Sequence, residues 1–349
     1  MVGESVVRWG ILGCGNVTEV KSGPAFQKAN GSQLVAVMRR NGALARDYAQ
    51  RHEVPRWYDN ADALIADPEV DAVYVATPVG SHCELALKVA AAGKPAYVEK
   101  PMARHAPECA RMVEAFRQAD SPLFVAYYRR RLPRFLRVAE LLDTGVLGTL
   151  TGLRYHYGSP SHRKPKEPLP WRLNARDAGG GLFMDLGCHA LDIVDFLLGP
   201  IQNVSGAANN IASPEHEVED TVAMAFQVAG GVPGVASWNF AQHERTDCLE
   251  LMGTDGSLTL SVFGETPIRV VHGADVSDID VANPEHIQQP LVQSIVNALL
   301  GVGECPSTGE TAMRTAQVMD TALSGYYGGR EDAFWERCEL SLESKGDKK

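Results

Sequence analysis

Several kinds of segment are missing from this chain of 349 residues. No apolar run approaches the ~20 residues needed to span a bilayer, so no membrane-crossing helix is expected. The first residues, Met1-Val2-Gly3-Glu4-Ser5, carry neither a basic stretch nor an apolar core, so no signal peptide is expected. Cys-x-x-Cys is absent, and the seven cysteines are odd in number and widely scattered. That argues against a disulfide framework and for reduced thiols in a cytoplasm. Positive charge is not in excess: 33 Lys and Arg face 43 Asp and Glu, a net charge of −10. Non-specific binding to nucleic acid or to an anionic membrane is therefore disfavoured, although a local basic pocket is not. Repeats and low-complexity segments are also lacking, and the polar tail Ser344–Lys349 is expected to fray. What remains is 45% hydrophobic and 22% charged, ordinary for a soluble globular protein with length for two domains.

The first third alternates apolar strand patterns with helical ones. Val6–Leu12 runs into Gly13-Cys14-Gly15-Asn16-Val17-Thr18, a helical stretch extends from Glu19 to Ala29 with Pro24 as a kink or delayed start, and a second strand spans Gln33–Met38. Strand, glycine turn, helix, strand is the context in which Gly-x-Gly points to dinucleotide binding. Gly13 permits the tight turn and Gly15 lets the backbone approach a pyrophosphate. The helix start around Asn16 and Val17 adds free N–H groups and a partial positive charge. Thr18 stands where a third glycine or alanine is usual, which is expected to loosen helix–strand packing. The plain alternative is a glycine turn with no ligand.

Other strand ends fall in step with this turn. The second strand closes on Arg39-Arg40-Asn41. A carboxylate at this point would accept from a ribose 2′-OH, whereas a guanidinium pairs with a 2′-phosphate, so NADP(H) is favoured with NAD(H) as the alternative. A solvated basic turn is the other reading. Ala72–Thr77 is a third strand, ended by Pro78 and followed by His82 and a helix to Ala92. Ala96-Tyr97-Val98 leads out of a further strand into Glu99-Lys100-Pro101, where proline ends the ladder. A lysine there sits where open α/β sheets bind ligands; a surface ion pair is the plainer reading, and a cis Lys100–Pro101 bond is a guess at base rate. Leu123–Tyr128 is the last strand, followed by Arg129-Arg130-Arg131. Tyr128 and one of these arginines could reach the same crevice, or form an ordinary basic turn.

From about Thr149 the rhythm changes to longer alternating segments, among them Thr149–Tyr157, Thr221–Val228 and Asp247–Met252. They predict a mostly antiparallel sheet, with helices over His286–Leu300 and Gly309–Tyr326. One segment departs from strand rhythm. Gly179-Gly180-Gly181 leads into a helical pattern ending at Gly199-Pro200, with Asp185, His189 and Asp192 on one face by i, i+4 and i+3 spacing. A helix cap with a core histidine, a metal site and a proton-transfer site all fit those residues. Trp171 and Arg172, in the loop Ser159–Asp177, either close over a substrate or anchor a surface loop.

Gly-Cys-Gly-Asn after the first strand, Thr77-Pro78 with His82, Glu99-Lys100-Pro101, the Tyr-Arg-Arg segment and Gly-Gly-x-x-x-Asp-x-Gly-x-His, in that order and separation, resemble the Gfo/Idh/MocA oxidoreductases across essentially the whole chain. The resemblance implies an α/β protein with an N-terminal Rossmann domain, expected over 1–128. A C-terminal domain with a large open, mostly antiparallel sheet is expected over 129–349, its last helix free to pack back on the first domain. It implies hydride transfer between a nicotinamide and a hydroxyl or carbonyl carbon of a sugar, cyclitol or related polyol. Lys100, Asp185 and His189 would form the catalytic group. Gly13, Gly15, Asn16, Val17, Arg39, Arg40, Thr77, Pro78, His82, Glu99 and Lys100 would line the cofactor. Tyr128, Trp171 and Arg172 would join Asp185 and His189 at the substrate. No metal is assigned. A homodimer or homotetramer through the second domain's sheet is expected, because a bare sheet face needs covering. A dihydrodiol dehydrogenase, a reductase of a non-sugar carbonyl and a nucleotide-binding regulator without turnover are the alternatives. The role of Glu99 stays open.

Overall fold

All strands of the first sheet run parallel, so their carboxyl ends share one edge. The structure, a computed structural model, describes residues 6–160 and 168–328; Met1–Ser5 and Ser344–Lys349, read above, lie outside the described residues. The strands are β1 (Val7–Leu12), β2 (Ser32–Met38), β3 (Arg56–Tyr58), β4 (Ala72–Val75), β5 (Ala96–Val98) and β6 (Leu123–Val125). Helices α1 (Asn16–Val20), α2 (Gly23–Lys28), α3 (Gly42–Arg51), α4 (Ala61–Ile65), α5 (His82–Ala91) and α6 (Ala106–Gln118) connect them. The strand order is β3-β2-β1-β4-β5-β6. Strands β4 and β5 are buried at every position, as expected where helices cover both faces of a parallel sheet. The order reverses between β1 and β4, which is where doubly wound sheets open a crevice. The helix expected over Glu19–Ala29 is two helices, and Pro24 sits in the first turn of α2, so its effect is the delayed start.

The second sheet has eight strands and follows from alternation. After α7 (Pro133–Asp143) come β7 (Leu150–Gly158), α8 (Ala175–Ala178), a π-helical turn over Phe183–Gly187 and α9 (Cys188–Leu198). Then follow β8 (Gln202–Asn209), β9 (Thr221–Gln227), β10 (Pro233–Asn239), β11 (Thr246–Gly253), β12 (Gly256–Leu260), β13 (Ile268–His272) and β14 (Asp275–Ile279). The order is β14-β13-β12-β11-β7-β10-β9-β8, antiparallel except where β7 meets β10. Leu153, Tyr155 and Tyr157 point to the core, while Arg154 and His156 face out. The fully buried Trp238 packs against Tyr155 at 5.5 Å and Phe183 at 4.7 Å between ring centroids, which seats the helix on the inner face.

The last described helices are α10 (Gln289–Leu299) and α11 (Gly309–Tyr327). By compactness, residues 284–313 group with 1–103 and 107–132, although a linear boundary at 128/129 leaves them with the second region. The reasons are specific contacts. Leu291, Val292 and Ile295 are fully buried, Gln293 bonds both backbone groups of Asn30, and Ser307 exchanges two hydrogen bonds with Val125. An amphipathic pattern announces the apolar face of α10 but not which core receives it. Among the described residues no helix is long and apolar enough to cross a membrane.

Candidate active site

The glycine turn after β1 has one position that needs glycine for the fold and one that leaves space. Gly13 has φ +91°, and a Cβ there would lie 2.7 Å from Thr77 Cγ2 and 3.0 Å from the Ala76 carbonyl carbon. Gly15 is extended, and the nearest atom to a Cβ would be Gly13 O at 3.8 Å. The side open at Gly15 is the one a pyrophosphate needs. The N–H groups of Asn16 and Val17, at the start of α1, have no acceptor among the described residues. This turn therefore fits a dinucleotide. Thr18 does not loosen it, contrary to expectation. Its buried hydroxyl accepts from the Gly15 N–H at 3.0 Å and donates to Gly15 O at 2.8 Å. Close helix packing moves to Gly23, where a Cβ would collide with the Thr18 carbonyl oxygen. Glu19 is the acid nearest the turn in sequence. Arg51 and His52 hold it at 2.7 Å each, and the Arg51 hydrogen bonds draw its pKa down to about 2.

Along the same edge, Arg39 and Arg40 follow β2, both exposed and neither in an ion pair among the described residues. The turn itself carries no acid, and Asn41 is spent capping α3 through Ala43 and Leu44 N–H. Thr77 and Pro78 follow β4, and Glu99-Lys100-Pro101 follows β5 with Lys100–Pro101 cis. His82 ties these two turns: Nε2 lies 2.8 Å from Thr77 O and Nδ1 3.1 Å from Pro101 O. It is buried, and burial holds its pKa below the ordinary value, so this ring braces backbone and does not face a ligand. Glu99 is also buried and accepts from Tyr74 Oη, Gln288 Nε2 and the Lys100 N–H at 2.5, 2.8 and 3.2 Å. Burial pushes the Tyr74 phenol well above its usual range, with the Glu99 charge adding to it. Tyr128, Arg129 and Arg130, in the turn after β6, are buried, so the solvated basic turn is excluded for them.

In the second unit the triple glycine wraps a buried carboxylate. The Gly181 N–H donates to Glu219 at 3.0 and 2.9 Å, Tyr327 Oη donates to it at 2.5 Å, and a Cβ at Gly181 would strike Glu219 O. Sequence reading missed Glu219, which lies in a loop before β9 with no motif of its own. Asp185 sits on the π turn, not on the regular α-helix that the one-face argument assumed. π turns of this kind are frequent at functional sites. The Asp185 side chain is partly exposed, at 25%, and accepts from Arg172 Nε at 3.1 Å. The Arg172 guanidinium lies 4.5 Å from the Trp171 ring centroid. So Trp171, Arg172 and Asp185 are brought together in a stacked, charge-paired set, with Trp171 37% exposed. His189 and Asp192 are buried, and Asp195 makes a bidentate pair with Arg314 at 2.9 and 2.7 Å. Among the described residues no three His, Cys, Asp or Glu side chains are grouped to hold a metal ion.

Family models match both units. Residues 7–127 match the oxidoreductase family with an NAD-binding Rossmann fold, and residues 135–259 match the GFO/IDH/MocA C-terminal domain. The chain belongs to the Gfo/Idh/MocA family. An oxidoreductase of Formosa agariphila is 36% identical to this Gfo/Idh/MocA chain over 319 residues, 91% of this chain and 98% of the relative. The 1,5-anhydro-D-fructose reductase of Ensifer adhaerens is 27% identical over 312 residues, 87% of this chain and 91% of the relative. The solved structure of levoglucosan dehydrogenase in complex with NADH and levoglucosan aligns with a TM-score of 0.83 at 21% identity, covering 92% and 97%, and shows the same fold. This Gfo/Idh/MocA chain is thus an NAD(P)-dependent oxidoreductase, and residues 7–127 are its NAD-binding Rossmann fold.

Proposed function

We propose that the enzyme is an NADP(H)-dependent oxidoreductase acting at a CH–OH or carbonyl carbon of a sugar, cyclitol or related polyol. The observation that carries the substrate class is the Trp171–Arg172–Asp185 set on the unit whose helix holds His189. An aromatic face, a guanidinium and a carboxylate are groups that grip a polyhydroxylated ring. The sugar-derived substrate in the name of the Ensifer relative supports the same class.

The bound nicotinamide supplies or accepts the hydride. Every other task falls to the chain. Asn16 and Val17 N–H groups, with Gly13 and Gly15 shaping the turn, hold the pyrophosphate. Arg39 and Arg40 receive the 2′-phosphate. Thr77, Pro78 and the backbone at Glu99-Lys100 border the nicotinamide. His189 exchanges the proton on the substrate oxygen. Lys100 stabilises negative charge on that oxygen and eases proton removal. Asp185 bonds a substrate hydroxyl and, through Arg172, keeps the loop on the π turn. Tyr128 lines the substrate side.

A panel of sugars, inositols, keto-sugars and dihydrodiols with NADP(H) and NAD(H), followed by nicotinamide absorbance, tests this reading. Turnover on dihydrodiols alone would overturn the sugar class. Lys100→Met is expected to cost roughly 10²- to 10⁴-fold in kcat while cofactor still binds, and unchanged turnover would remove Lys100 from the mechanism.

We further infer a homodimer or homotetramer through the outer face of the eight-stranded sheet. That face exposes Val235 at 55% beside Ala223 and Ala225, and Val276 at 54% on the opposite edge strand. A monomeric mass in solution at micromolar concentration would exclude it.

A further inference from the structure

Gln288 uses both ends of its side-chain amide, and both point to the lysine turn. Its Oε1 accepts from Tyr97 Oη at 2.9 Å and its Nε2 donates to Glu99 Oε1 at 2.8 Å. The same Glu99 oxygen receives Tyr74 Oη at 2.5 Å, and the other receives the Lys100 N–H at 3.2 Å. Tyr74 and Tyr97 are fully buried and their rings stack at 4.8 Å between centroids, so neither phenol can swing away. Gln288 is 1% exposed and sits at the start of α10, where its carbonyl accepts from the Val292 N–H at 3.0 Å. The far side of the turn is pinned as well, by His82 against Pro101 O.

A buried network like this adds little net stability over well-packed apolar residues. What it does supply is a single orientation, because any rotation of the Gln288 amide leaves a buried donor or acceptor unmet. The group it orients is Glu99, whose carboxylate holds the backbone N–H of Lys100. We propose that Gln288 is a positioning residue for Lys100: acting through Glu99, it fixes the backbone from which the Lys100 side chain reaches the substrate oxygen. This assigns the Glu99 carboxylate to the same device. The proposal rests on the catalytic role of Lys100 proposed above. Misplacing a catalytic group by about 1 Å can cost on the order of 10²-fold in rate, so such a device is worth its buried polar atoms.

The test compares wild type, Gln288→Leu, Tyr97→Phe and Lys100→Met as full chains. In Gln288→Leu, kcat is expected to fall roughly tenfold or more, and the primary deuterium isotope effect on kcat to rise as chemistry becomes limiting. Amide hydrogen exchange at Lys100 is expected to speed up. The Kd for NADPH should stay within about threefold, because the glycine turn and Arg39 are untouched. Tyr97→Phe removes only the phenol that anchors Gln288 and should show the same changes, smaller in size, even if Gln288→Leu folds poorly. Wild-type turnover in both variants overturns the proposal. So does a kcat loss matched by an equal loss of NADPH affinity with Lys100 exchange unchanged. If Lys100→Met is inactive while Gln288→Leu is wild-type-like, the positioning role alone fails; if Lys100→Met keeps full turnover, the reading of Lys100 fails with it.

Discussion

Arg172 donates from Nε to Asp185 Oδ2 at 3.1 Å while its guanidinium lies 4.5 Å from the Trp171 ring centroid. One planar group thus joins a loop aromatic to the π turn that precedes His189. Lysine keeps the charge but loses both the fork and the stacking surface. Arg172→Lys is therefore expected to raise KM for the polyol by about tenfold, equivalent to ~1.4 kcal/mol, with a smaller effect on kcat. Steady-state kinetics on the best substrate of the panel checks this, and an unchanged KM would separate Arg172 from substrate binding.

Gly13 and Gly15 should respond to alanine in opposite ways. At Gly13 the backbone is left-handed and a Cβ meets Thr77 and the Ala76 backbone, so Gly13→Ala should cost about 1–3 kcal/mol of stability. At Gly15 the backbone is extended and the Cβ would enter open space, so Gly15→Ala should keep the wild-type Tm. Its methyl would stand where the pyrophosphate approaches, and cofactor affinity should drop by roughly tenfold or more. Thermal unfolding together with nucleotide titration separates the two effects. An equal loss of Tm in both variants would contradict the assignment of the open side of the turn to a ligand.

The carboxyl edge of the first sheet was legible from sequence because it depends on local signals. Parallel βα units announce themselves by buried strand runs, and each run ends on a marked residue: Gly13, Arg39, Thr77 or Glu99. Once strand direction is known, those residues must share an edge. Features set by distant packing were not legible. Gln288 bonds Glu99 across 189 residues, and no spacing rule announces the partner of a polar residue at a helix start. Thr18 read as a defect, because a hydroxyl that caps the turn and a glycine five positions later that restores close packing are visible only together. The short edge strand β3 has too little pattern to stand out beside its neighbours. The π turn under Asp185 broke an argument built on α-helical periodicity, although the encounter of Asp185 with Arg172 survived it.

Cofactor choice should turn on the Arg39–Arg40 turn. Both guanidinium groups are exposed after β2 and neither has an ion-pair partner among the described residues. Arg39→Asp places a carboxylate where a 2′-phosphate would sit, adding repulsion as well as removing attraction. NADPH affinity is expected to fall by roughly 10- to 100-fold, while NADH affinity holds or improves. Paired fluorescence titrations at two salt concentrations check it. A wild-type enzyme with equal affinity for NADPH and NADH would remove the arginine argument altogether.

Acid should lower the stability of the fold around His82, because burial opposes the charge that protonation adds to the ring. Burial lowers its pKa below the ordinary 6.5, with the two carbonyl contacts only partly opposing that. The folded chain therefore takes up the His82 proton less readily than the unfolded chain. As pH falls below about 6.5 the unfolded state is protonated first, so stability drops with acid until the folded-state pKa is reached; above that window the group adds no pH dependence. His82→Gln cannot titrate and retains one donor. At neutral pH the ring is neutral and also has one donor, so the variant should keep its stability to within about 1 kcal/mol. Between about pH 7 and pH 5 its Tm should fall less steeply than that of wild type. Thermal unfolding of both proteins across this range is the measurement, and parallel slopes would show that His82 does not titrate with unfolding.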